Sequence, residues 1–313
     1  VGVKRRKKQA RRAARREPGA RVHRDAQGRA HLLVVGRDPH GGADRVALAR
    51  PLFITGWQNE VAAAAAATAH ALLAGGPTLE RTVALARNAM AGTSKIADGV
   101  LAQSPDRPPA CRAGCAHCCY QTVGVTPPEV FAIADHLQRT RRAAALESTV
   151  ERIRAADDRT RGMAAADRLS ADFPCPFLEE ARCTIYEARP LSCRGANSLD
   201  DAACERPLRD PEARAAFIAG TLAVPCYLEP IRAFHAVTAG MQLAVHELHG
   251  LAMLPLELTA AMRIALDDPE AVSRSWLAGE DPFEAARGGD TTADPRIREL
   301  AGTTLDPRPN PRP

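Results

Sequence analysis

The chain reads as a mainly α-helical protein, a helical domain built around an irregular, cysteine-rich metal-binding core. Three observations predict this. Helical periodicity dominates residues 57–103, 126–165 and 210–278, and strand-like alternation is scarce. All nine cysteines lie between positions 111 and 226, four of them packed into Cys111-Arg-Ala-Gly-Cys115-Ala-His-Cys118-Cys119. The stretch from Asp172 to Cys204, with prolines at 174, 176 and 190, follows no regular period.

Taken in order, the chain opens on a basic arm. Residues 1–24 carry eleven Lys or Arg against Glu17, a net of +10, which leaves the rest of the chain at −5. A basic arm can hold nucleic-acid phosphates by counterion release, or be a solvated, disordered tail, as like-charge runs usually are. Disorder is expected over 1–25. Residues 26–56 hold two apolar runs, Leu32-Leu33-Val34-Val35 and Leu52-Phe53-Ile54, divided by Gly36, Pro39, Gly41 and Gly42. They suit either a weak hairpin or unstructured sequence.

An N-terminal helical segment is expected over 57–104: an alanine-rich helix over 59–74, then a second from Thr78 to about Gln103. Leu79, Val83, Leu85, Met90, Ile96 and Leu101 are the second helix's packing positions. Ser104-Pro105-Asp106-Arg107-Pro108-Pro109 stops it. Thr126-Pro127-Pro128-Glu129 begins another, with Thr126 to cap, Pro127 at the first helical position and Glu129 where a capping-box carboxylate reaches back. Helices are further expected over 141–165, from Asp210, near 255–266 and over 269–278. Ile231, Phe234, Val237, Met241, Val245 and Leu248 form the clearest amphipathic stripe, which we read as core. Residues 281–313 are a tail expected to be largely disordered, ending in Asp306-Pro-Arg-Pro-Asn-Pro-Arg-Pro.

At 313 residues the chain has room for one large or two modest domains. No apolar run reaches the ~18–20 residues that span a bilayer, and the basic N-terminus lacks the apolar stretch of a secretory signal. A cytoplasmic location follows as the expectation, where clustered cysteines more often bind metal than pair as disulfides. Nine thiols, an odd number, would also leave one unpaired in a disulfide framework.

Thiolates are soft ligands, and several converging on one point suit zinc or an iron–sulfur cluster. The second half of the constellation is Cys175-Pro176-Phe177-Leu178 followed by Cys183-Thr-Ile-Tyr186-Glu-Ala-Arg189-Pro190-Leu-Ser-Cys193-Arg194. Arg112, Arg182, Arg189 and Arg194 lie beside these cysteines and are candidates to offset the net charge of about −2 on a zinc tetrathiolate. His117 lies inside the first motif but reads as a non-ligand, and His246 and His249 read as solvent-facing.

The pattern CxxxCxxCC … CPFL … CxIYExRPxxCR resembles the YkgJ-type cysteine-cluster family over about residues 106–280. That resemblance implies a zinc- or iron-chelating domain with Cys111, Cys115, Cys118, Cys119, Cys175, Cys183 and Cys193 as ligands. Flagellin lysine N-methylases share this type of domain, so the resemblance also admits an iron–sulfur-dependent methyl-transfer enzyme. The spacing itself leaves zinc and iron open, a 4Fe-4S cluster included, and seven or eight thiols also suit two zinc ions. Cys111-x3-Cys115-x2-Cys118 matches radical-SAM spacing, but the strand–helix alternation of that barrel is missing from the sequence that follows. Cys226, alone in Ala-Val-Pro-Cys-Tyr, is expected to be an apolar, buried non-ligand. Cys204 is left undecided.

Overall fold

Apolar residues at helical spacing give eleven α-helices among the described residues, which are mainly helical, so the mainly α expectation holds. The structure is a computed structural model that describes residues 19–24, 30–36, 45–50, 57–103, 108–163, 165–219, 221–251 and 255–286. The chain divides into two units, Val1–Pro51 with Thr291–Pro313, and Leu52–Asp290.

The described part of the first unit is an antiparallel sheet, β1 (Gly19–Arg24), β2 (Ala30–Gly36) and β3 (Arg45–Arg50) in that order. Val22 sits opposite Leu32 and Val34 opposite Ala47. The apolar run 32–35 is therefore a strand, while Leu52-Phe53-Ile54 lies outside the described residues. Residues 19–24, expected within the disordered arm, pair with β2 instead. Their arginines and histidine alternate with Ala20 and Val22, and that period-two pattern is masked by the charge run around it. The rest of the arm, residues 1–18, and the tail beyond 286 lie outside the described residues.

The second unit holds the helices. α1 (Trp57–Leu73) and α2 (Leu79–Ala102) pack on the long α9 (Leu228–His249). The stripe of α9 faces inward as expected: Phe234, Val237, Met241 and Val245 are all buried. Gly240 lets α1 close in, because a Cβ there would collide with the Ala62 carbonyl oxygen. In α2, Val83, Leu85 and Met90 are buried, but Leu79 is 42% exposed because it sits on the first turn, beyond the edge of the core. His249 departs from the solvent-facing expectation, since its Nε2 is buried without a hydrogen-bond partner.

α3 (Pro127–Thr140) starts at the expected cap, with Glu129 Oε2 accepting from the Thr126 amide at 2.9 Å and the Thr126 hydroxyl at 2.8 Å. α4 (Ala143–Thr160) and α5 (Ala165–Ser170) return the chain toward the cysteines. Three short helices follow, α6 (Leu191–Gly195), α7 (Asp201–Arg209) and α8 (Pro211–Ile218), and single 3-10 turns lie at His117–Tyr120, ahead of α3, and at Tyr186–Ala188, ahead of α6. α10 (Leu258–Asp267) and α11 (Pro269–Leu277) close the unit. Phe131 meets Trp276 edge-on at 5.4 Å and Phe283 at 5.7 Å. Phe283 is fully buried, so the helical body reaches past 280 into the expected tail. A two-residue ladder, β4 (Gly124–Val125) on β7 (Leu256–Glu257), ties the exit of the first cysteine loop to the entry of α10. Among the described residues no helix is long and apolar enough to cross a membrane.

Candidate metal centre

Four segments carry the thiols, and each is held in place by backbone contacts rather than by long secondary structure. The first, residues 108–120, is a loop whose Ala110 amide donates to Ser198 O at 2.8 Å. Its turns close through Cys115 N to Arg112 O at 3.0 Å and Cys119 N to Ala116 O at 2.9 Å, the latter inside the 3-10 turn that presents Cys118 and Cys119. The second segment joins the first directly: the Cys175 amide donates to Cys119 O at 2.8 Å.

From Cys175 the chain turns, with Leu178 N bonded to Cys175 O at 2.9 Å, into the hairpin of β5 (Leu178–Glu179) and β6 (Arg182–Cys183). Leu178 lies opposite Cys183. The two residues at its tip, Glu180 and Ala181, have φ of 49° and 58°, the left-handed conformation that a two-residue primed turn demands and that only glycine adopts without strain. The Cys175 and Cys183 side chains pack against the hydrophobic core.

Cys193 rides on α6. That helix is pinned by the buried Glu129, whose Oε1 accepts the Leu191 amide at 2.8 Å, and by Ser192 Oγ donating to Gly124 O at 2.9 Å. Cys204 rides on α7, which Asp200 caps by accepting from the Ala202 and Ala203 amides. Arg112, one of the candidates to offset thiolate charge, pairs with Asp201 at 2.7 Å, an exposed ion pair that bridges the first loop and α7. Arg182 is exposed on the hairpin.

The seven sulfurs named on the sequence belong to one electrostatic neighbourhood. Cys119 feels Cys118, Cys175 and Cys193, and Cys193 feels Cys175, Cys118 and Cys183. Cys111 feels Cys115 and Cys118. Cys204, undecided on the sequence, joins them through Cys111, Cys115 and Cys118. A sequence signal for it existed. Asn197-Ser-Leu-Asp200-Asp201 is a helix cap, and a helix starting there carries Cys204 one turn along, on the same face as Asp201. Cys226 is half-buried on a strap held to the same loop by Leu199 N to Pro225 O at 2.8 Å and Tyr227 N to Asn197 Oδ1 at 2.7 Å. His117 is half-buried at the start of its turn.

Burial dominates the titration of most thiols. It pushes Cys175 up to about 12 and raises Cys193, with neighbouring thiols adding to both. Cys118 and Cys119 split in opposite directions: Cys119 donates a hydrogen bond to Cys118, holding its own proton and making Cys118 the acidic partner. Several groups oppose the burial cost. The peptide N–H two residues on points at two of the sulfurs, Phe177 at Cys175 and Ile185 at Cys183, while Ser198 N–H serves Cys111. Arg189 lowers Cys111, Cys118, Cys183 and Cys193. Its guanidinium lies 4.3 Å from the Tyr186 ring centre, and its Nε is buried with no hydrogen-bond partner. Arg194 fixes the backbone around it, donating to Arg189 O at 2.9 Å, Glu187 O at 2.5 Å and Ser94 Oγ at 2.8 Å on α2.

Amide donors and a half-buried cation near the sulfurs stabilise thiolate over thiol, which is what a metal–thiolate centre requires. The donor set therefore fits zinc or iron. As the side chains stand, no three His, Cys, Asp or Glu among the described residues converge closely enough to hold an ion. Cys111 and Cys118 are both exposed.

No curated protein and no solved structure matches the chain. A family model does, and it covers the cysteine segments through α7 but none of the helices after it. Residues 110–209 match the CxxCxxCC family, described as "Putative zinc- or iron-chelating domain", which is the cysteine-cluster family that the motif resembles.

Proposed function

We propose that residues 110–209 bind zinc or iron through clustered thiolates, and that the metal is structural, ordering a stretch with little regular structure of its own. The observation that carries this reading is the gathering of thiols from three chain segments, the first loop, the hairpin and α6, near the Arg189 charge, with the Cys175 amide bonded to Cys119 O at 2.8 Å joining the first two. Neutral, buried thiols gain little from a cation held beside them. Once metal displaces their protons, the same arginine and amides face a centre of negative charge. The unfolded chain has no such site, so metal binding and the order of the loops are one free energy.

The test is the metal content and colour of the purified full-length chain, followed by Cys193→Ser and Cys226→Ser. Zinc in a colourless protein, or iron, is expected in the wild type. Cys193→Ser is expected to lose metal together with solubility or protease resistance, whereas Cys226→Ser retains its metal. A metal-free wild type, or a folded Cys193→Ser protein with full metal occupancy, would overturn the structural reading. A brown protein with inorganic sulfide that stays folded when the cluster is lost would favour an iron–sulfur enzyme instead.

A further inference from the structure

We propose that Arg168 is a positioning residue of the metal centre: it pins the junction of the first two cysteine segments and supplies a buried positive charge that the thiolates balance once they hold zinc or iron. The inference rests on the metal-binding reading above and adds to it a residue outside the cysteine motifs.

Arg168 belongs to α5, which packs on α7 and α8. From there its side chain crosses to the cysteine loops, where Nη1 donates to Tyr120 O at 3.3 Å and to Phe173 O. Tyr120 follows Cys119 in the chain, and Phe173 stands two residues before Cys175. The bond from the Cys175 amide to Cys119 O, at 2.8 Å, joins the same two stretches. One guanidinium nitrogen therefore holds both sides of the junction at the point where Cys119 and Cys175 are brought together. The planar, rigid fork of arginine suits that task better than a flexible ammonium.

Hydrogen bonds alone do not account for the burial of this cation. Arg168 is 4% exposed and its Nε has no hydrogen-bond partner. Among the described residues it makes no ion pair. Glu257, whose charge it feels, instead caps α10, accepting from the Ala260 amide at 2.8 Å. Other arginines of the helical body are matched: Arg152 pairs with Glu179, and Arg161 and Arg263 pair with Asp157. Arginine is rarely buried unpaired, because stripping water from the charge is costly. The two carbonyl dipoles offset part of that cost. Thiolates beside the junction, formed when metal displaces the thiol protons, offset the rest.

The experiment measures the affinity of the full-length chain for zinc, and anaerobically for ferrous iron, by competition with a chromophoric chelator. Urea unfolding with and without the metal accompanies it. The proteins are the wild type, Arg168→Gln, Arg168→Lys and, as a control, Asp157→Asn. Asp157 is fully buried and accepts from Arg161 at 2.5 Å and from Arg263 at 3.0 Å, so its loss weakens the contact between α4 and α10. Arg168→Gln is expected to lower the affinity about tenfold or more, and to lose more urea stability with metal than without it. Arg168→Lys, which keeps the charge but not the fork, should lose less. Asp157→Asn should lower the urea midpoint with its affinity within about twofold of the wild type.

An Arg168→Gln affinity within about twofold of the wild type would overturn the proposal and leave metal binding intact. An equal loss of affinity in Asp157→Asn would also overturn it, since the effect would then be one of general stability. A loss in Arg168→Lys as large as in Arg168→Gln would overturn the part assigned to charge. A wild type that binds neither zinc nor ferrous iron would overturn both readings. Should Arg168→Gln fail to fold, hydrogen exchange of metal-stripped Arg168→Lys decides. Faster exchange at the Cys175 amide than in the wild type, with the α9 amides unchanged, supports the pinned junction, and unchanged exchange at Cys175 overturns it.

Discussion

Replacing Glu129 with Ala tests how the helical body holds the metal-binding loops. The carboxylate is 2% exposed and accepts three hydrogen bonds, from the Thr126 amide, the Thr126 hydroxyl and the Leu191 amide, at 2.8–2.9 Å. Thr126 and Leu191 are themselves 2% and 1% exposed, so water cannot substitute for the lost acceptor. The Thr126 hydroxyl can rotate, but the two backbone N–H groups cannot. A buried donor left without a partner costs about 1–3 kcal/mol, so Glu129→Ala should lose about 3–5 kcal/mol in total, against a typical domain stability of 5–15 kcal/mol. Glu129→Gln keeps one acceptor oxygen and should lose about half as much. The assay is urea unfolding of the metal-loaded chain, read by circular dichroism and extrapolated linearly to water. Because the Leu191 bond also anchors the helix that bears Cys193, Glu129→Ala should release its metal faster to a chelator than the wild type does. An alanine variant within ~0.5 kcal/mol of the wild type, with unchanged metal release, would refute the reasoning.

Gly240→Ala pushes a methyl group onto the Ala62 carbonyl and should destabilise the α1–α9 pair by about 1–3 kcal/mol, seen as a lower urea midpoint with metal content retained. Ala181→Gly relieves a left-handed φ of 58° at the hairpin tip and should stabilise the chain by about 0.5–1 kcal/mol; destabilisation would mean that the turn is not formed as described. Burial holds Cys175 and Cys193 above their ordinary range, so at neutral pH both are protonated without metal. Metal binding must then release protons, and its apparent affinity must rise with pH, which titration in a weak buffer with a pH indicator detects. Arg189→Gln should weaken metal retention, whereas Arg112→Gln should act mainly through loss of its Asp201 contact and be rescued by the charge swap Arg112→Asp with Asp201→Arg.

The parts of the fold that depend on local chemistry were legible. Thr126-Pro127-Pro128-Glu129 reads as a helix start because cap, ring and carboxylate act within one turn, and the stripe on α9 reads as core because burial repeats every 3.6 residues. What depends on partners distant in sequence was not legible. Strand β1 pairs with β2, Val22 in register with Leu32, and nothing local in an arginine-rich arm announces that pairing. Glu129 looked like a capping residue only, yet its second oxygen binds Leu191, 62 positions away. Phe283 looked like tail until α3 supplied Phe131, 5.7 Å away ring to ring, for it to pack on.

At the cysteines the same divide separates composition from arrangement. Spacing pointed to a metal but gave the four nearby arginines equal standing as charge partners, and the structure distinguishes them. Arg112 is used on Asp201 and Arg182 is exposed, while Arg189 and Arg194 are held side by side near the thiols. Burial and the Arg189 charge both push Arg194 down, so the pair is costly as long as the thiols around it are neutral. Three hydrogen bonds from Arg194 to the 187–189 backbone and to α2 keep that arrangement in place before any ion arrives. A tetrathiolate centre with a divalent ion would carry roughly −2, and two fixed guanidiniums are a natural counterweight to that charge. Each guanidinium's position is therefore best explained by the charge that the thiols acquire when they give up their protons to a metal.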